Sequence, residues 1–157
     1  MAYKKEPVIG VIGPGRCSGK VKKTAEVIGQ AIAAAGATLV CGGLGGVMEA
    51  AAKGAKAEDG KTIGIIPSDQ KKDANKYIDI VIPSGIGEAR NLLIIRTADV
   101  VIALPGMFGT LSEMAFCLKT KTPLVSLQAW DISDKIIRVD DPIKAVNEAI
   151  KLAGAEK

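Results

Sequence analysis

A glycine-rich turn that also holds a threonine and a glutamate occupies Leu104–Glu113, with the sequence LPGMFGTLSE. It follows the apolar run Val100–Leu104 and precedes the helical pattern Leu111–Lys119, so it joins a strand to a helix. Thr110 is placed to cap that helix, which would leave the first N–H groups pointing outward. The turn is therefore either a tight structural corner or a cradle of N–H groups for an anion.

Two more glycine-rich turns follow strands earlier in the chain. The first, GPGRCSGK, fits neither a Walker A loop nor a dinucleotide fingerprint, because Pro14, Ser18 and Val21 stand where those motifs need glycine, glycine and Ser/Thr. The second, CGGLGGVMEAA, has four glycines in five positions, which lets the backbone approach a ligand closely. The strand before this turn ends in Cys41-Gly42, where an NAD site would have an acidic residue, so that residue is also missing.

The three turns are expected to share one edge of a sheet, because ligands bind at the carboxyl ends of parallel strands. We therefore predict a phosphate or carboxylate cradle there. The residues expected to contact the ligand are Gly13, Gly15, Ser18, Gly42, Gly43, Gly45, Gly46, Met48, Pro105, Gly106, Met107, Phe108, Gly109 and Thr110. Lys20, Lys22 and Lys23 lie in the first turn of the helix that follows the first glycine-rich turn. A bound anion would offset their charge there, and simple solvation explains them equally well.

Two charged residues share a helix face with residues that should be buried. Arg90 has Leu93 and Ile94 three and four positions further on, and Glu113 has Phe116 and Cys117 at the same offsets. Arg90 alone would be explained by a long side chain that reaches solvent, and Glu113 alone by a carboxylate that favours a helix start. Together, and next to the glycine turns, they predict a shared site.

Short apolar runs and longer helical patterns alternate around these turns. The apolar runs predict strands at Pro7–Gly13, Thr38–Cys41, Thr62–Ile66, Ile80–Ile82, Asp99–Leu104 and Pro123–Leu127. Helices are predicted at Lys20–Ala35, Val47–Ala57, Glu88–Ala98, Leu111–Lys119 and Asp141–Ala153, with a surface loop at Ser68–Tyr77. The alternation predicts a single doubly wound Rossmann-like α/β domain over residues 1–157, with a mainly parallel sheet of about six or seven strands and helices on both faces.

The composition limits the chemistry of the site. The chain has no histidine, and Cys17, Cys41 and Cys117 are too widely spaced for a disulfide framework or a zinc site, so we expect no metal. A net charge of +4 suits a phosphorylated ligand, whereas 3% aromatic residues do not suit single-stranded nucleic acid. No run has the length of a membrane span, and the N-terminus leads directly into a strand, so we expect a cytoplasmic protein without a signal peptide.

The segment Pro105–Glu113 resembles the Pro-Gly-Gly-x-Gly-Thr-x-x-Glu signature of the lysine decarboxylase-like family, typified by the LONELY GUY (LOG) phosphoribohydrolases. Met107 replaces the second glycine, and Arg90 lies fifteen residues before Pro105, at the spacing of the family. The segments Gly42–Glu49 and Gly87–Asn91 look more like the small molybdenum-cofactor carrier proteins, related to DNA-processing protein A. The resemblance extends from the first strand to Leu127, and it adds Asn91 to the expected ligand contacts.

The resemblance implies a binding protein for a phosphorylated heterocycle, most specifically a molybdenum-cofactor (molybdopterin) carrier or storage protein. Such a protein requires no cofactor of its own, and it is expected to be a homodimer or homotetramer. Met107 favours this role, because a methionine in place of a glycine would move the loop or fill part of the pocket if positive φ or close approach were needed there.

The alternative is a phosphoribohydrolase that releases free base and ribose 5-phosphate from a nucleoside 5′-monophosphate. Arg90 would then hold the phosphate or the leaving group, and Glu113 would stabilise an oxocarbenium-like transition state. Glu88 is the other acid placed nearby, as a second carboxylate of the usual glycosidase pair would be. DNA binding is a third and weaker alternative, which would show a steep dependence on salt.

Overall fold

A seven-stranded parallel sheet organises residues 5–155, which are the residues described by the computed structural model. The strands are β1 (Val8–Ile12), β2 (Thr38–Cys41), β3 (Thr62–Ile66), β4 (Ile80–Pro83), β5 (Val100–Ala103), β6 (Leu124–Leu127) and β7 (Ile137–Val139). The helices are α1 (Gly19–Ala34), α2 (Val47–Ala57), α3 (Asn91–Thr97), α4 (Phe108–Thr120) and α5 (Pro142–Ala153). Short 3-10 turns lie at Lys71–Asp73 and Gly87–Arg90.

The strand order is β4-β3-β2-β1-β5-β6-β7, and each neighbouring pair is parallel. The chain builds outward from β1 on one side and then returns to its other side with β5, so the order reverses between β1 and β5. In open α/β sheets this switch point is where a ligand-binding crevice forms, outside the carboxyl ends of the strands. The predicted doubly wound Rossmann-like fold is confirmed.

Alternating strand residues build a core on each face of the sheet. Ile9 and Val11 of β1 pack with α1, α2 and α5, whereas Ile12 packs with α3 and α4. Strands buried on both faces must be apolar throughout, which is why their sequences read as continuous hydrophobic runs. Among residues 5–155, no helix has the length and apolar character needed to cross a membrane.

Three local predictions were wrong or incomplete. α4 begins at Phe108, so Thr110 lies inside its first turn and does not cap it. The helix predicted from Glu88 starts as a 3-10 turn, and its α-helical part begins at Asn91. The segment Gln128–Asp141, for which no element was predicted, contains the edge strand β7. The ends of the predicted domain, residues 1–4 and 156–157, lie outside the described residues.

α1 and α2 cross so closely that glycine is required at the contact. A β-carbon on Gly29 would lie 1.9 Å from the carbonyl oxygen of Ala51, and one on Gly54 would lie 2.0 Å from that of Glu26. Both distances are far below van der Waals contact, and the obstructing atoms belong to the backbone, so neither helix can yield without moving as a whole. This contact sets the positions of α1 and α2 relative to each other, and these are the helices that follow β1 and β2.

We predict that Gly29→Ala destabilises the protein, although alanine is the better helix former. Overpacking in a core costs about 1–3 kcal/mol, and thermal unfolding is expected to show Tm lowered by roughly 5 °C. Gly19→Ala is the matched control, because it lies in the first turn of the same helix with nothing within 4 Å of the added carbon. Equal Tm values for the two variants would contradict the close crossing.

Candidate anion-binding site

A cavity of about 310 Å³ opens at the carboxyl ends of the strands, on the side of the sheet covered by α3 and α4. We call it the Arg90 cavity. It is lined by these predicted ligand residues: Gly13, Gly15, Gly42, Met48, Arg90, Asn91, Met107, Gly109, Thr110 and Glu113. The other lining residues were not predicted as ligand contacts: Val11, Ile12, Pro14, Leu44, Glu88 and Ile94.

Features of the sequence could have identified several of these residues as part of the cavity. Pro14 and Leu44 lie inside glycine-rich turns that were themselves predicted to bind, and Ile94 lies one helical turn after Arg90. Val11 and Ile12 end β1 and were interpreted only as core. A strand that ends at the ligand-binding edge contributes its last side chains to both the core and the cavity, and periodicity alone does not separate the two roles.

Some predicted ligand residues lie outside the cavity: Ser18, Gly43, Gly45, Gly46, Pro105, Gly106 and Phe108. Ser18 caps α1, because its hydroxyl accepts the N–H of Val21 at 3.3 Å. The first N–H of α2, that of Val47, donates to the carbonyl of Pro14 at 3.0 Å. The amide of Asn75 binds the carbonyl of Leu44 at 2.8 Å. The second glycine turn is therefore held largely as a structural corner.

The starts of α2 and α3 have no side-chain cap, and neither has the start of α4. The residue before α4 is Met107, which offers no side-chain acceptor, whereas α1 and α5 are capped by Ser18 and Asp141. Gly109 and Thr110 lie in the first turn, where N–H groups have no partner within the helix, and both line the Arg90 cavity. These N–H groups and the positive end of the helix dipole make this helix start a candidate site for an anion.

Arg90 places a positive charge at the inner wall of this cavity. Its side chain is at the end of the 3-10 turn that leads into α3, and the residue is only 7% exposed. One terminal nitrogen donates to the side-chain oxygen of Asn91, and the buried Nε has no hydrogen-bond partner. Within residues 5–155, no carboxylate lies within 4.0 Å of the guanidinium. A buried cation without an ion partner is costly, and a bound anion would offset that cost.

Gly42 makes room for the arginine. A β-carbon at this position would lie 3.0 Å from Nη2 of Arg90 and 2.6 Å from the sulfur of Met48. The predicted close approach of this backbone to a ligand stays a prediction. The atoms that approach Gly42 belong to the side chains that form the cavity wall.

Glu113 lies in the same cavity but does not neutralise Arg90. It is 8% exposed, and burial raises its pKa to about 8, although the charge of Arg90 acts in the opposite direction and that of Glu88 adds to the rise. Burial also lowers the pKa of Arg90, but a guanidinium remains charged at neutral pH. Near pH 7 the buried part of the cavity therefore contains a cation and a largely protonated carboxylic acid, which together favour an anionic ligand, while the exposed Glu88 also belongs to the lining.

Met107 fits its position without strain. Its φ of −96° is open to any residue, so the backbone at this position does not require a glycine for a positive φ. Its side chain is 68% exposed at the cavity edge. Its carbonyl oxygen accepts the N–H of Leu111 at 3.0 Å and the indole N–H of Trp130 at 3.2 Å. The side chain of Met107 therefore contributes to the rim of the cavity.

The chain belongs to the SLOG cluster4 family, whose model matches residues 6–153. It is 41% identical over 143 residues to an uncharacterized protein of Archaeoglobus fulgidus, with 90% of this chain and 93% of the other covered. The resemblance to the LOG-like Rossmann branch is thereby confirmed.

Two solved structures are similar over almost the whole chain. The molybdenum cofactor binding protein of Rippkaea orientalis is 38% identical with a TM-score of 0.87, covering 94% of this chain and 96% of that one. The molybdenum cofactor carrier protein of Chlamydomonas reinhardtii is 31% identical with a TM-score of 0.87, covering 96% and 100%. DNA processing protein A of Helicobacter pylori, at 22% identity and a TM-score of 0.70 over 92% and 80%, shares the fold.

The buried Glu113 predicts that stability depends on pH. Its pKa is about 8 in the folded protein and 4.5 ordinarily, so the folded state holds the proton more tightly than the unfolded chain. The stabilisation is complete below about pH 4.5 and is lost as the pH rises to about 8, at up to about 1.4 kcal/mol per pH unit. Thermal unfolding of the wild type and Glu113→Gln from pH 5 to 9 measures this.

The Tm of Glu113→Gln minus that of the wild type is expected to rise up to about pH 8 and then to level off. Glu58→Gln, which removes an exposed carboxylate outside the cavity, controls for the loss of one charge. A difference that is constant over this pH range would show that Glu113 is ionised throughout.

Proposed function

We propose that this protein binds and carries the molybdenum cofactor, or a closely related phosphorylated pterin, in the cytoplasm. The observation that carries the proposal is the buried guanidinium of Arg90, which has an unpartnered Nε at the wall of a cavity that also exposes the uncapped start of α4. Similarity to the molybdenum cofactor binding and carrier proteins over almost the full length of the chain supports this choice of ligand.

The phosphate is the part of the ligand that the Arg90 cavity suits best. Arg90 offers donors for charge-assisted hydrogen bonds, and Gly109 and Thr110 offer backbone N–H groups at a helix start. The protonated Glu113 can donate one further hydrogen bond to a phosphate oxygen, whereas an ionised carboxylate would repel it. A cavity of about 310 Å³ is at the small end of ligand sites, so part of a pterin would extend beyond it.

The state of Glu113 disfavours the hydrolase alternative. A carboxylate stabilises an oxocarbenium-like transition state through its negative charge, and with a pKa of about 8 Glu113 carries little of that charge at pH 7. Glu88 is exposed on the 3-10 turn before α3. The site therefore suits binding and release of an intact ligand better than cleavage of a glycosidic bond.

We predict that Arg90→Gln weakens molybdopterin binding about tenfold or more, because hydrogen bonds to a charged group contribute about 1.5–3 kcal/mol. Retention of molybdopterin in equilibrium gel filtration, read by pterin fluorescence, measures this. Arg96→Gln is the matched control, since Arg96 is exposed on α3, the helix that follows Arg90. The variant is expected to remain folded, because it removes a buried charge that has no ion partner.

Two results would overturn the carrier proposal. One is equal retention of molybdopterin by Arg90→Gln and the wild type. The other is release of free base from nucleoside monophosphates by the wild type at pH 7 that is lost in Glu113→Ala, which would establish the phosphoribohydrolase instead.

The exposed side of β4 supports association with a second copy of the chain. In the register of β3 and β4, Ile80 pairs with Ile63 and Ile82 with Ile65, so these side chains share the sheet face covered by α3 and α4. Ile80 is nevertheless 58% exposed, Ile82 is exposed as well, and α3 exposes Leu93. An edge strand with an exposed apolar face is a site of association, so we infer a homodimer or homotetramer that covers it.

We predict that the double variant Ile80→Lys/Ile82→Lys is a monomer, because two buried ammonium groups would oppose association. Sedimentation velocity at tens of micromolar protein measures this, with Ile143→Lys on α5 as control, since Ile143 is exposed on the opposite face of the sheet. A wild-type protein that sediments as a monomer would refute the inferred assembly.

A further inference from the structure

Two aromatic side chains are stacked on each other beside the Arg90 cavity. The rings of Phe108 and Trp130 are 6.4 Å apart between centroids, with an angle of 21° between their planes. Phe108 is 73% exposed, which is unusual for so large an apolar side chain. The whole chain has one tryptophan and two phenylalanines. The single tryptophan and one of the two phenylalanines therefore form this pair.

A hydrogen bond holds Trp130 against the turn that forms the cavity edge. The indole N–H of Trp130 donates to the carbonyl of Met107 at 3.2 Å, and Met107 lines the Arg90 cavity. Phe108 follows Met107 directly as the first residue of α4, and the next two residues line the cavity. A ligand anchored in the cavity has to pass only this short turn to reach the aromatic rings.

A polar side chain borders the same place. Gln128 follows β6 and is exposed, with a φ of +59°, a left-handed conformation that residues other than glycine rarely adopt. Together with Trp130 and Asp131 it lines an open cavity of about 300 Å³ beside the Pro105-Gly106 turn, and Phe108 is not part of this lining. The amide of Gln128 presents both a donor and an acceptor there. We call Phe108, Trp130 and Gln128 the aromatic shelf.

We propose that the aromatic shelf binds the planar, nitrogen-rich heterocycle of the ligand whose phosphate lies in the Arg90 cavity. This inference rests on the proposed function and adds a ring-binding subsite to it. An exposed ring offers its face to a flat heterocycle, and stacking of this kind changes affinity about 5- to 150-fold. The amide of Gln128 can pair with the hydrogen-bonding edge of a pterin or guanine-like ring.

Two probes separate the subsites. Neopterin phosphate carries both ring and phosphate, and ribose 5-phosphate carries only the phosphate. Isothermal titration calorimetry measures both affinities, and quenching of Trp130, the single tryptophan, reports whether a ring reaches the shelf. We expect the wild type to bind both probes, with neopterin phosphate bound more tightly and only neopterin phosphate quenching the fluorescence.

Phe108→Leu keeps apolar bulk but removes the aromatic face. It is expected to weaken neopterin phosphate at least fivefold, to leave ribose 5-phosphate within twofold, and to fold normally because the site is exposed. Phe108→Trp is expected to restore the affinity. Gln128→Gly, which accepts the left-handed backbone without strain, is expected to retain wild-type Tm or exceed it while binding neopterin phosphate more weakly.

The outcomes distinguish the two proposals. If Phe108→Leu binds neopterin phosphate as tightly as the wild type, or weakens both probes equally, the shelf is refuted while the Arg90 cavity stands. A wild type that binds ribose 5-phosphate but not neopterin phosphate also refutes the shelf. If the wild type binds neither probe, both the shelf and the proposed function are overturned.

Discussion

Arg90 brings a positive charge into the interior at the carboxyl ends of the strands, and the surrounding structure is arranged around that charge. Gly42 leaves room for the guanidinium, Asn91 accepts one of its hydrogen bonds, and Glu113 remains largely protonated beside it. No carboxylate in the described chain pairs with it. An unpaired buried cation is unfavourable, so an anion bound in this cavity would offset the cost of burying Arg90.

The fold was predictable from the sequence because its strands are buried on both faces. Continuous apolar runs separated by helical patterns leave few arrangements other than a doubly wound parallel sheet. β7 was missed for the converse reason: it is a short edge strand with an exposed Arg138 between half-buried residues. The early start of α4 was also missed, because Gly109 suggests a break while contacts across the turn, such as that of Trp130 with Met107, hold the helix start.

The two charged residues of the site were predictable, whereas the separate roles of the glycine turns were not. Arg90 and Glu113 each occupy a helix position that shares a face with buried residues, and this is visible in the spacing. Which turn keeps free N–H groups depends on contacts across the fold. The carbonyl of Pro14 accepts the first N–H of α2, and Ser18 caps α1. The stacking of Phe108 on Trp130 has no signal in the sequence, because distant loops bring the rings together.

The distribution of polar groups also bears on whether the site binds or catalyses. In the proposed complex, Arg90 and the first N–H groups of α4 would hold a phosphate, a group whose charge does not change when a glycosidic bond breaks. Interactions that are equal in the ground state and the transition state strengthen binding without accelerating the reaction. Of the two acids in the cavity wall, Glu88 is exposed, and the buried Glu113 is largely neutral near pH 7 and so responds little to developing positive charge. A site with its strongest contacts on an unreactive group holds a ligand and releases it unchanged, as a carrier must.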